Sequence, residues 1–276
     1  MAFFDNLMNK ISKGKKADEI NKEIVGNVIG FYRVDSSVQT GQLILEVANL
    51  LNENNKRVCI IDTNPLSDFY TGKFSDKLTA GDTLEVPSIS KRFMNSKTQL
   101  SECLIDADDK LKLLTFGTTA YVNVFKLDYN VIESTYLDVK ENFDIVLVDI
   151  CNMPVLETVT AAMKICSRVY SMWGVSVDSL MQHTKLVNFY NLTGLDGKLY
   201  NVILNDVPYG TTLKSTYKNL DDINIDIVLE IPEVLCSREI SQNKFILDKV
   251  SSKAGVYYAS CIDSLVSEIL MGGAGA

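Results

Sequence analysis

Two carboxylates, one amide and one polar loop stand where this chain could do chemistry. Asp62 closes the run KRVCIIDTNP, Asp149 closes FDIVLVD, and Asn205 lies in VILNDVP. The run VIGFYRV opens into Asp35, Ser36, Ser37, Val38, Gln39, Thr40, Gly41 and Gln42. In an open parallel sheet, ligands bind beyond the carboxyl ends of the strands. Strand-end residues of this kind would then share one crevice. Asp62 and Asp149 are the candidates for catalysis, and Asp149 for a metal. The same residues also read as ordinary polar strand ends inherited with a fold. Arg33 is the cation nearest the loop, either as a replacement positive charge or as half of a salt bridge. No GxGxxG, GxSxG or paired Cys/His arrangement points to another chemistry. The six cysteines (Cys59, Cys103, Cys151, Cys166, Cys236 and Cys261) form no CxxC pair, and several fall inside apolar runs. They read as reduced, buried thiols. The single histidine, His183, cannot build a His-rich metal site; it reads as a surface or helix-packing residue.

The elements that position these residues alternate. Apolar runs at 25–32, 57–62, 111–116, 143–149, 168–173, 199–205 and 225–231 read as strands, with FDIVLVD the clearest. Residues 38–54 and 179–190 have helical spacing. Continuous apolar strands separated by helices predict an α/β fold: a doubly wound, mostly parallel sheet covered by helices on both faces. Residues 67–99 are polar and mixed in pattern, compatible with a loop plus one or two short helices. The domain expected from this pattern spans 24–270. The ending Gly-Gly-Ala-Gly-Ala predicts a disordered tail over 271–276.

Residues 1–23 differ from the rest. Phe3, Phe4, Leu7, Met8 and Ile11 fall on a helical arc about 140° wide. Gly14 ends the pattern, and Lys15 and Lys16 follow. The segment predicts an amphipathic helix and linker that docks on a membrane surface or in a partner's groove. The net charge is −8 from 27 basic and 35 acidic residues. The first 16 residues hold four lysines and one acid, which leaves 23 basic against 34 acidic residues and a net of −11 for the body. A body this acidic weighs against DNA as a partner, since non-specific DNA binding needs a basic face to displace counterions. No apolar stretch approaches the roughly 20 residues of a membrane span. The start has no apolar secretory block. The expected location is the cytoplasm, peripheral to the membrane if residues 3–13 dock there.

The order of these pieces resembles the ParA/MinD P-loop ATPases. That family runs strand, KGGVGKTT loop, helix, then a strand ending D-x-D-P. Here VIGFYRV, the polar loop, a helix ending VANLLNENN, and KRVCIIDTNP follow in that order. LKLLTFG, FDIVLVD (the Walker B strand), VILNDVP and IDIVLEIPE continue the series, so the resemblance covers about residues 24–265. It implies that Asp62 and Asp149 orient the attacking water and the magnesium shell, that Asn205 contacts adenine, and that ATP or ADP with magnesium is the ligand. It also implies a homodimer through the face carrying the strand carboxyl ends. Counted back from KRVCIID without a gap, Asp35 replaces the lysine that reaches the partner's nucleotide, and Thr40 replaces the lysine that neutralises the β and γ phosphates. Serines and Gln39 replace the glycines that let backbone N–H groups turn inward. The expectation is a pseudo-ATPase: a dimerising positioning or assembly scaffold for a larger machine (pilus, secretion or similar). The pilus-assembly (TadZ/CpaE-like) branch of the family resembles it in its unusual phosphate loops but usually adds an N-terminal receiver-like domain where this chain is expected to have a short helix. The alternatives are an active or nucleotide-binding ATPase for DNA partition or division-site placement, and a metabolic enzyme on an unrelated doubly wound fold.

Overall fold

Strand β1 (Val28–Arg33) shows why this sequence makes a central parallel strand: every residue but the last is buried. Its alternate side chains feed opposite cores. Val28 and Tyr32 pack with one cluster, Ile29 and Phe31 with the other. Gly30 is required by close approach, because a Cβ there would stand 2.8 Å from Ile150 Cδ1 and 2.9 Å from Cys166 Sγ.

The structure is a computed structural model that describes residues 26–35, 38, 40–74, 87–116, 128–208, 225–234, 245, 247 and 252–273. After β1 come α1 (Gly41–Glu53), β2 (Val58–Asp62), α2 (Phe69–Lys73), α3 (Ser90–Met94), β3 (Leu104–Asp106) and β4 (Leu111–Leu114). Then follow α4 (Tyr129–Asn142), β5 (Ile145–Ile150), α5 (Glu157–Ile165), β6 (Arg168–Trp173) and α6 (Val177–Asn191). The series closes with β7 (Asn201–Val207), β8 (Asp226–Pro232) and α7 (Lys253–Gly273). The eight strands form one sheet in the order β3-β4-β2-β5-β1-β6-β7-β8. Every pairing is parallel except β3 with β4. Helices α4, α5 and α6 contribute to the core on one face, through Tyr136, Val159 and Leu186 among others. Helices α1, α2 and α7 cover the other, through Leu45, Tyr70 and Ile262. This is the doubly wound α/β architecture that the alternating pattern predicts.

Several boundaries move, each for a local reason. β3 is three residues long and too short to carry a pattern of its own; it forms as the antiparallel partner of β4 across the turn at Ala107–Lys110. The strand expected at 199–205 begins later, because Asp196–Leu199 closes a 3-10 turn. It ends later too. A register irregularity between Leu204 and Val207 inserts Asp206 at φ 57, a left-handed conformation Asp tolerates better than most residues, and pairing resumes at Val207 with Pro232. Residues 67–99 supply α2 and α3. The tail expected over 271–276 is helical up to Gly273, since adding a residue to an established helix costs far less than nucleating one. Phe3, Phe4, Leu7, Met8, Ile11, Ser36, Ser37, Gln39 and Cys236 lie outside the described residues.

Cys59, Cys103, Cys151, Cys166 and Cys261 are free and buried. His183 is a packing residue and not a surface one: it is 3% exposed on α6, with its ring 4.8 Å from Trp173 and 6.3 Å from Tyr200. Burial pushes its pKa down to about 3, so the ring is neutral.

Candidate functional site

Asp62 and Asp149 are register partners at the adjoining ends of β2 and β5. Both are nearly inaccessible, at 2% and 3% exposure. Thr63 fastens the two strand ends together. Its backbone N–H (3.1 Å) and its hydroxyl (2.9 Å) both donate to the Asp149 carbonyl. Its Oγ1 also accepts from the Cys151 N–H at 3.0 Å, and its carbonyl accepts from Thr158 on α5 at 2.8 Å. The chain is therefore rigid where the carboxylates leave it.

The Asp149 carboxylate is fully engaged by its own chain. Thr40, the residue before α1, donates its hydroxyl to Oδ1 at 2.7 Å instead of capping the helix. Tyr70, on α2, donates its hydroxyl to Oδ2 at 3.0 Å. Arg33 Nε faces Oδ1 at 3.3 Å as an ion pair, outside hydrogen-bond alignment. Burial alone would lower the Arg33 pKa, but Asp149 and then Asp62 outweigh it and the net direction is upward. Burial first, and then Asp149, push the Tyr70 phenol well above its ordinary range, so it stays a proton donor.

Asp62 lacks such support. Its Oδ1 accepts the Asn64 N–H at 2.9 Å, and the Ser67 side chain adds a second bond. Burial, and after it the neighbouring Asp149, push its pKa up to about 7. Two carboxylates share one guanidinium, so near neutral pH Asp62 carries a proton for part of the time.

Asp35 is turned away from this pair. Its Oδ2 accepts the Ser179 hydroxyl at 2.5 Å in the first turn of α6, and Ser179 Oγ accepts the Gly174 N–H at 3.0 Å. The carboxylate thus lies at the positive end of a 15-residue helix. At the start of α1, Gly41 meets the ring of Phe69: a Cβ there would stand 2.5 Å from Cε1. Gln42 and Glu46, one turn apart, are buried and joined by a 2.8 Å bond, and Val38 is buried in the α1 core. Asn205 ends far from the carboxylates. Its Nδ2 donates to Asp206 at 3.2 Å, and β7 is three strands from β5, roughly 14 Å at ordinary strand spacing.

No family model matches the chain, and no curated protein matches it in sequence. Solved structures match it in shape. The cell division ATPase MinD of Pyrococcus furiosus superposes with a TM-score of 0.67 at 15% identity, over 90% of this chain and 99% of that one. A plasmid partition protein of Borrelia burgdorferi bound to AMPPNP gives 0.65 at 13% identity, over 90% and 98%. A ParA family ATPase of Chlorobium tepidum gives 0.64 at 13%, over 90% and 98%. The chain has the ParA/MinD fold.

On the ParA/MinD fold the loop before α1 meets phosphate at the helix N-terminus, where backbone N–H groups and the helix dipole favour an anion. The residues present do not fit that ligand. Asp35 and Thr40, where the sequence count puts the family's two loop lysines, are bonded to α6 and to Asp149 respectively. Gly41, the next residue in that count, is covered by the Phe69 ring. Thr40 and Tyr70 each already donate to one oxygen of Asp149, where a cation's water would have to bond. Among the described residues no group of three or more His, Cys, Asp or Glu is arranged to hold a metal. A depression of about 580 Å³ opens at the other end of the strands, where Arg57, Lys110 and Lys112 lie. Those cations are already joined to Asp144, Asn55 and Asp106.

Sequence reasoning brings Asp62, Asp149, Thr40 and Arg33 to one place, and the structure assembles them. It misses Phe69, Tyr70, Thr63 and Ser179. Phe69 and Tyr70 sit in a stretch without periodicity. Nothing in DFYTGK separates a site-filling pair of aromatics from a core pair.

Proposed function

We propose that the chain is a ParA/MinD-like pseudo-ATPase that acts as a dimerising scaffold, positioning or assembling a larger machine of the pilus or secretion kind. One observation carries the reading: Asp149, at the position of the family's Walker B carboxylate, accepts hydrogen bonds from Thr40 and Tyr70 and pairs with Arg33, all from its own chain. Phosphoryl transfer runs on positioning and on positive charge at the γ-phosphate. Here the loop has exchanged both lysines for groups that bind protein. Losing such charge typically costs several kcal/mol of barrier, or roughly a hundredfold and more in rate.

The test is phosphate release from ATP and magnesium by the full chain, alone and with candidate partners. The expected result is release equal to a protein-free control. Turnover that vanishes in Asp149→Asn would instead support an active ATPase, the role suggested by the AMPPNP held by the Borrelia neighbour. It would make the loop from Asp35 to Gln42 an unrecognised catalytic variant.

A further inference from the structure

Helix α2 presses against the site where a ParA/MinD fold would receive its ligand. Tyr70 is 1% exposed, and its hydroxyl reaches Asp149 Oδ2. Phe69 lies over Gly41 and meets Tyr70 edge-on, with centroids 5.0 Å apart. Lys73 sits 5.6 Å above the Phe69 ring, a distance suited to a cation–π contact. The loop into α2 is tied to the same place, because Asn64 and Ser67 bond the Asp62 carboxyl. A five-residue helix is far too short to be stable alone. It is held by its surroundings, with Phe69 against Gly41, Tyr70 on Asp149, and Asn64 and Ser67 on Asp62.

We propose that α2 is an internal ligand. Phe69 covers the N-terminus of α1, and the Tyr70 hydroxyl occupies the free oxygen of Asp149. The chain itself thereby closes the site that a nucleotide and its metal close elsewhere on this fold. The closed geometry is then permanent and independent of nucleotide. This deepens the pseudo-ATPase reading and rests on it.

Tyr70 is the discriminating residue. Its ring fills space, while its hydroxyl does only one thing in the structure, which is to bond Asp149. Tyr70→Phe therefore keeps the packing and removes the latch. Tyr136→Phe is the control: an equally buried tyrosine on the opposite face, whose hydroxyl has no hydrogen-bond partner among the described residues.

Hydrogen–deuterium exchange on the full chain tests the proposal, with wild type, Tyr70→Phe, Phe69→Ala and Tyr136→Phe compared in the presence and absence of 1 mM ADP and magnesium as probe. In Tyr70→Phe, exchange should rise about tenfold in peptides covering residues 40–46 and 66–74, as loss of a bond to a charged acceptor implies. Strands β1 and β5 should be unchanged. Phe69→Ala should open the same two peptides, Tyr136→Phe neither, and ADP with magnesium should protect nothing in wild type. Unaltered exchange in both peptides of Tyr70→Phe overturns the proposal. So does ADP with magnesium protecting 40–46 in wild type while exposing 66–74. Phosphate release from the same samples keeps the two ideas apart. Turnover by wild type sinks the pseudo-ATPase reading, whereas silent exchange with no turnover sinks only the internal ligand.

Discussion

A residue in this site is defined by what it bonds, and Asp62 shows how far that departs from its usual chemistry. Its carboxyl is buried beside a second carboxylate, which holds its pKa near 7 in the folded chain. In the unfolded chain it returns to about 4. The folded state therefore binds the proton more tightly between those values, and stability falls as pH rises from about 4 through about 7. The slope from this group is at most about 1.4 kcal/mol per pH unit. Asp62→Asn keeps an acceptor for the Asn64 N–H and removes the charge. Urea denaturation at pH 5, 6, 7 and 8 should show wild type losing stability over this range and Asp62→Asn losing less. At pH 8 the variant should be the more stable of the two.

At the scale of elements, the ends of α1 and α6 explain why the altered loop is tolerated. Asp35 joins the loop to α6 through Ser179, where the helix dipole favours a negative charge. Restoring the family's lysine by Asp35→Lys removes that bond and puts a cation at the positive end of the helix. It should lower stability by about 1–3 kcal/mol and restore no phosphate release; chemical denaturation and the phosphate assay check both halves. Gly41 tells the same story at α1. A threonine there would drive its Cβ into the Phe69 ring, so Gly41→Thr should destabilise by about 1–3 kcal/mol. Phe69→Ala also destabilises, by removing buried ring contacts. Together the two changes should cost less than their sum, with a coupling of about 1 kcal/mol in a double-mutant cycle. Strict additivity would mean that ring and glycine do not oppose each other.

At the scale of the molecule, the face that carries the strand carboxyl ends has three exposed apolar side chains at its rim. Leu66 follows β2, and Met153 and Val155 follow β5; their exposures are 45%, 39% and 79%. We infer that this face pairs two copies through protein contacts. Sedimentation of wild type should show a dimer at high micromolar concentration with or without ATP, and Val155→Asp should weaken it at least tenfold by burying an unpaired charge. A wild-type monomer at that concentration would reject the interface. No helix among the described residues is long and apolar enough to cross a membrane. We propose that residues 3–13, whose sequence pattern is amphipathic, dock on a membrane surface. Five apolar residues anchor weakly, and two copies in a dimer would bind far better than one. Co-sedimentation with anionic liposomes should be greater for wild type than for Phe4→Glu, and equal binding would reject the membrane and leave a partner's groove or the helix's own domain.

The sequence by itself determined the layers. Buried parallel strands must be continuously apolar, and FDIVLVD, KRVCIIDTNP and VIGFYRV announce both the strands and the residues at their ends, because period and apolar content are local properties. That residues 35–42 contain no lysine was legible for the same reason: it is a matter of residue type at a fixed place. Only the tertiary structure decided what the residues there bond. Thr40 and Asp149 are 109 residues apart in the chain, Tyr70 and Asp149 are 79 apart, and Asp35 and Ser179 are 144 apart. No short-range pattern encodes a hydrogen bond across such separations. It exists because the parallel crossovers bring all the strand ends to one rim. The aromatic pair that closes the site lay in the least patterned stretch of the chain, since a five-residue helix held by its surroundings needs no periodicity of its own.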